Sequence, residues 1–219
     1  MKKSLETTKL FYDRYLYKVS VKNSLSSIFR DKNLSFAKHE LGKLQYQHDN
    51  ENYPLNLVKG LRQVHISYED FFHAKFLLNE FEKQSDYKLR VEYPTIRIYS
   101  NDEIWISKLE NASMDVIDIY RPKNINVLTK NTILIDDFPY EFKITLRDRV
   151  DPMFANWVKV NRDKIKIGDK ALECVETNGY CRGFYFFIKN EKILQLVNLM
   201  INGSIARIDK IISNAVIDK

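Results

Sequence analysis

The sequence predicts an α+β fold: a mainly antiparallel sheet with helices packed on one face. It is open to a division into two pseudo-repeated ferredoxin-like halves, residues 1–111 and 112–219, with one continuous domain as the alternative. Three observations carry the fold class. Polar and apolar residues alternate in short stretches along the whole chain, as half-buried strands require. Between them lie stretches with apolar residues three and four apart, as amphipathic helices require. Several of these begin at a residue able to cap a helix. With 44% hydrophobic residues and only 6 Gly and 5 Pro, the chain has material for a core and no low-complexity linker. Disorder is expected for the first few residues alone.

The first readable strand is Tyr17–Lys22, and a helix follows from about Leu34 to Tyr46, capped by Asn33. Gln47 to Gly60 is polar and reads as a loop. Ser67 caps a helix running to about Lys83, with Tyr68, Phe71, Ala74, Leu78 and Phe81 as its buried stripe and Glu69, Lys75, Glu80 and Lys83 facing water. A hairpin is expected next: Tyr87–Glu92, a turn at Tyr93-Pro94, then Thr95–Ser100. Asn101 or Asp102 caps a short helix holding Ile104, Trp105 and Leu109.

Met114–Tyr120 and Asn126–Ile135 read as strands, as does Tyr140–Arg147 after the turn Asp136-Asp137-Phe138-Pro139. Asp151-Pro152 starts a helix that buries Phe154, Trp157 and Val158. Phe184–Ile188 is uniformly apolar and predicts a strand covered on both faces. Asn190 caps a helix through Met200. After Gly203, Ile205, Ile208, Ile211 and Ile212 predict a last amphipathic helix, a lid on the core or else an oligomerisation or partner-binding surface.

Two short matches suggest the repeat. Lys18-Val19-Ser20-Val21-Lys22 and Lys143-Ile144-Thr145-Leu146-Arg147 agree position by position in character. Later, Tyr99-Ser100-Asn101-Asp102 and Ile188-Lys189-Asn190-Glu191 each lead a strand into a helix cap. Strand, helix, paired strands and helix would then occur twice, as in ferredoxin-like and RNA-recognition units.

The net charge of +6, from 35 Lys+Arg against 29 Asp+Glu, favours a polyanionic partner. Residues two apart on a strand share a face. Lys18 with Lys22, Lys88 with Arg90, Arg97 with Tyr99, and Lys143 with Arg147 are therefore expected to project away from the core. Such a cationic face with aromatic punctuation suits phosphates and stacked bases, of RNA or single-stranded DNA. The leading expectation is a non-enzymatic nucleic-acid-binding protein, with the abundance of Lys, Asn and Ile fitting the AT-rich genome of a phage or mobile element. A protein–protein interaction module, such as a host-factor inhibitor or a virion component, is the alternative. A third is a metal-dependent nuclease built on Glu141-Phe142-Lys143 with a further acid, Asp115 or Asp118 on the preceding strand or Asp136 or Asp137 in the turn.

Other chemistries find less footing. His39, His48, His65 and His73 make no metal-ligand pair on one element, and the two cysteines, Cys174 and Cys181, have no zinc spacing. No phosphate-binding glycine loop and no aromatic RNP motif is present, and no metal or cofactor is expected. Cysteine usage fits a reducing cytosol, hence a cytoplasmic protein, and no run nears the ~18 apolar residues of a membrane span.

Overall fold

The computed structural model describes residues 2–50, 54–59, 62–112 and 114–213. The chain forms two compact units: residues up to 7 with 14–123, and residues 8–13 with 124 onward.

The first unit runs β1 (Lys3–Thr7), β2 (Tyr17–Lys22), a 3₁₀ segment over Ser26–Lys32, α1 (Leu34–Asp49), β3 (Leu55–Lys59), β4 (Arg62–Ile66), α2 (Tyr68–Lys83), β5 (Tyr87–Glu92), β6 (Thr95–Ser100), α3 (Glu103–Asn111) and β7 (Val116–Pro122). Its main sheet has the order β1-β7-β2-β6-β5, with β1 and β7 parallel and every other pair antiparallel. Alternation in β2 turns Tyr17, Val19 and Val21 toward the helices, where they join Phe71, Leu77, Phe81, Ile96, Ile98, Trp105 and Ile119 in one core.

The second unit runs β8 (Thr132–Leu134), β9 (Phe142–Leu146), α4 (Pro152–Val160), β10 (Ile165–Ile167), α5 (Asp169–Glu176), β11 (Tyr185–Ile188), α6 (Glu191–Ile201) and β12 (Ile205–Ile212). Its sheet order is β8-β12-β9-β11-β10, with β8 and β12 parallel and the rest antiparallel. Phe142, Ile144 and Leu146 face the helices and pack with Phe154, Val158, Phe186, Ile188 and Val197.

Each sheet thus has the ferredoxin-like strand order with one strand added outside the last; the first unit inserts β3, β4 and a second helix between β2 and β5, and the second inserts α5 between β10 and β11. The correspondence extends to single residues. Lys18 pairs with Tyr99 on the neighbouring strand, and Lys143 with Phe187. Three residues beyond each of these aromatics stands a helix cap: Asp102 accepts from Trp105 N, and Asn190 from Ile193 N. The last strand carries an extra residue at the same place in both units. Val21 pairs with Val116 and Ser20 with Asp118, skipping Ile117; Leu146 pairs with Ile205 and Thr145 with Arg207, skipping Ala206. The matching cap to Asn190 is therefore Asp102, one residue past the Asn101 that the sequence pairs with it, and with that shift the register is constant.

Capping chemistry accounts for most helix starts. Asn33, Ser67, Asp102, Asp151 and Asn190 all accept a backbone N–H of the first turn, each contributing roughly 1 kcal/mol. Several expectations are corrected. The last segment is the strand β12, because the extra residue at Ala206 puts Ile205 and Ile208 on one face although they are three apart, which imitates helical spacing. The expected loop after Gln47 holds β3, with Leu55 and Leu57 buried; its positions 51–53 and 60 lie outside the described residues. The first residues form β1, an edge strand held by backbone pairing to β7. Residues 126–131 are turn and irregular chain, and the strand begins at Thr132. On α2, Glu80 is buried at 3% exposure, with Lys108 2.7 Å away, whereas Tyr68 is exposed. No helix among the described residues is long and apolar enough to cross a membrane.

Candidate nucleic-acid interface

In the first unit, the register lays the expected cations in rows across the face opposite the helices. One row reads Lys88, Tyr99, Lys18, Tyr120 and the next Arg90, Arg97, Ser20, Asp118, while Lys22 stands opposite Thr95 and Glu92. Lys18, Lys22, Lys88, Arg90, Arg97 and Tyr99 thus share one face, as alternation requires. Two of them are not offered to solvent. Lys18 is 9% exposed, its Nζ 3.1 Å from Asp118 Oδ1 and 4.1 Å from the Tyr120 ring centroid, and Tyr99 is 5% exposed. Both are corrections to the expected outward face, since side chains on a sheet's second face can be buried as fully as those on its first. Lys22, Lys88 and Arg90 are exposed and Arg97 half-buried. Arg97 and Arg90 both donate to Glu92, and these hydrogen bonds hold its carboxyl below the usual range.

Lys88 and Arg90 also line a cleft at the β5 edge with Arg30, Asp31, Lys32 and Tyr87. The 3₁₀ segment delivers Arg30 and Lys32 there, and Asp31 and Lys32 hold φ of 58° and 57°, the left-handed region that side chains enter at a cost. Lys32 Nζ stands 3.6 Å from the Tyr87 ring centroid, and burial lowers its pKa. Neither Arg30 nor Lys32 is found by periodicity, because the segment has none. The run Arg30-Asp31-Lys32 ahead of the Asn33 cap is the one available signal.

In the second unit, Lys143 lies on the open face of β9, and Arg147 follows the end of that strand, exposed. β11 corrects the expectation of a strand covered on both faces. Phe186 and Ile188 are buried, but Tyr185 is 47% exposed and Phe187 shares its outward face. Phe138 meets Phe187 edge-on at 4.8 Å between centroids, Tyr140 lies 5.3 Å from Phe138, and Tyr185 lies 5.5 Å from Phe187. Lys143 Nζ stands 4.0 Å from the Tyr185 centroid, and Lys166 Nζ 5.4 Å from that of Phe138. Burial lowers the Lys143 pKa, Lys9 and Arg207 lower it further, and Asp209 opposes them. Arg207 binds two acids, Asp13 at 2.6 Å and its neighbour Asp209. The signal for the aromatic face was the alternation Tyr185-x-Phe187, hidden inside an apolar run.

The nuclease set divides between the units, with Asp118 in the first and Glu141 and Lys143 in the second. Asp118 is engaged by Lys18. No group of three or more His, Cys, Asp or Glu able to hold a metal occurs among the described residues. Cys174 and Cys181 are free thiols with Sγ atoms 3.1 Å apart, and burial pushes the Cys181 pKa up to about 12. No protein-family model, curated protein or solved structure matches the chain.

Proposed function

We propose that this protein binds nucleic acid without cleaving it, through cations on the open sheet faces and at the β5 edge. The observation that carries the reading is the cleft lined by Arg30, Lys32, Lys88 and Arg90 with Asp31, beside which Asp86 acts on Lys32 and Glu92 binds Arg90. A row of cations suits phosphates, and arginine's planar fork suits them best. Phosphate-dominated binding releases counterions, so affinity falls steeply as salt rises. Titration of labelled single- and double-stranded RNA and DNA at two salt concentrations tests this, with denaturing gels run in Mg²⁺ and in EDTA. Salt-sensitive binding of intact nucleic acid is expected. The Lys88→Ala, Arg90→Ala, Arg97→Ala triple variant should bind about tenfold or more weakly and show a flatter salt dependence, by about 0.7 in logarithmic slope per lost contact to a single strand. Unchanged affinity in a folded triple variant would remove this face from the reading.

A protein partner is the second reading, favoured by one observation. α6 exposes Leu196, Leu199 and Met200, and α4 exposes Met153 and Val160. A stoichiometric protein that co-purifies without nucleic acid, and is lost in Leu199→Asp, would support it.

A further inference from the structure

We infer that the open face of the second unit's sheet is a stacking platform for unpaired bases of single-stranded RNA, with Tyr185 and Phe187 receiving bases, Lys143 a phosphate and the Thr145 hydroxyl a ribose 2′-OH. The inference deepens the nucleic-acid reading and rests on it, but concerns residues outside the cationic rows of the first unit.

Position is the first ground. β11 lies inside the sheet, with Phe186, Phe187 and Ile188 paired to both β9 and β10 and Tyr185 paired to β9, so its side chains stand on a rigid surface. Residues two apart on a strand stand roughly 6.6 Å apart, so Tyr185 and Phe187 each offer a separate ring. Phe138 and Tyr140 brace Phe187 from the turn before β9. The rings are therefore pre-organised, which lowers the ordering cost of binding. Tyr185, 47% exposed, with the half-buried Phe187 beside it, offers an aromatic surface that suits bases better than phosphates, because every base has a π-face.

Charge is the second ground. Lys143 sits beside Tyr185, and Lys166 beside Phe138, so cations stand next to the rings where a backbone would run. Arg207 holds the two acids Asp13 and Asp209 in ion pairs, and Lys9 adds a positive charge near Lys143. A phosphate there would favour the protonated ammonium that this environment now disfavours.

The choice of RNA comes from Thr145. It pairs directly with Tyr185 and lies between Tyr185 and Arg207 on the same face, half-buried. Its hydroxyl can both donate to and accept from a 2′-OH beside a base stacked on Tyr185. A duplex keeps its bases stacked on each other and cannot use the rings.

The test measures anisotropy of one mixed-sequence labelled strand as RNA, as the DNA counterpart and as duplex RNA, with the full chain and variants whose folding is checked by thermal unfolding. Single-stranded RNA should bind most tightly, with DNA about three- to tenfold weaker. Tyr185→Leu with Phe187→Leu should weaken RNA binding about tenfold or more, and Tyr185→Phe should retain it. Thr145→Val should bring RNA and DNA together. RNA binding undiminished in the paired leucine variant, or duplex or DNA bound as tightly as single-stranded RNA, overturns the inference. If the salt-sensitive binding lost in the Lys88, Arg90, Arg97 variant persists in that case, the broader reading stands. Absence of binding to every polynucleotide removes both together.

Discussion

The two units share strand order, pairing register and even the position of the extra residue in the last strand, yet the sheet faces opposite their helices differ. At corresponding positions the first unit has Lys18 opposite Tyr99, and the second has Lys143 opposite Phe187. Lys18 is buried against Asp118 and Tyr120, whereas Lys143 lies over a ring that is nearly half exposed. The same lysine on the same strand thus serves packing in one unit and remains available to a ligand in the other. Topology alone fixes neither role; the neighbours on the adjoining strands do.

The largest expected effect breaks this comparison directly. Lys18→Ala strips the counter-charge from Asp118, whose side chain is 21% exposed, and should destabilise the first unit by about 3 kcal/mol. Lys143→Ala removes a half-buried lysine and should cost under about 1 kcal/mol while lowering RNA affinity. Each unit carries one tryptophan, Trp105 in the first and Trp157 in the second. Urea unfolding of Trp157→Phe and Trp105→Phe backgrounds therefore reads the units separately. Equal losses from the two lysine changes would mean that the equivalence extends to energetics.

A smaller effect concerns the edge of the first sheet. Lys2, just before β1, and Arg121 on β7 both bind Glu110 at the end of α3. Burial alone would raise the Glu110 carboxyl, but hydrogen bonds from Lys2 and Arg121 outweigh it and hold it below its ordinary range. The unfolded chain therefore takes up this proton first as pH falls. The stabilisation is complete above the unfolded value of about 4.3 and is lost as pH falls through the folded one. Glu110→Gln should cost roughly 1–2 kcal/mol at neutral pH and flatten the acid limb read by Trp105. An acid limb unchanged by the substitution would assign the pH response to other carboxyls.

Much of this architecture was legible where local chemistry agrees with tertiary packing. The caps Asn33, Ser67 and Asn190 and the paired segments at Lys18 and Lys143 stand in the sequence because a cap and a two-residue alternation are local properties. β12 was not legible, since Ala206 shifts the phase of its alternation. β1 was not, since Lys3–Glu6 are exposed and paired through backbone alone. The cationic residues of the first unit's face were found by alternation, but the burial of Lys18 and Tyr99 depends on neighbours distant in sequence. Tyr185 and Phe187 were hidden for the opposite reason, because outward-facing aromatics that alternate with Phe184, Phe186 and Ile188 read as part of one buried run.

The smallest effect sharpens the contrast between the two faces. Asp136 and Asp137 are exposed in the turn that leads to Phe138 and Tyr140, so they place negative charge close to the aromatic face. Exposed charges act through a high dielectric and are screened within about 10 Å at 0.1 M salt. Asp136→Asn with Asp137→Asn should therefore raise RNA affinity only about two- to threefold at low salt, with the gain vanishing near 0.5 M. An affinity indifferent to these two acids, combined with sensitivity to Lys88 and Arg90, would shift the weight of binding from the ringed face of the second unit to the cationic edge of the first.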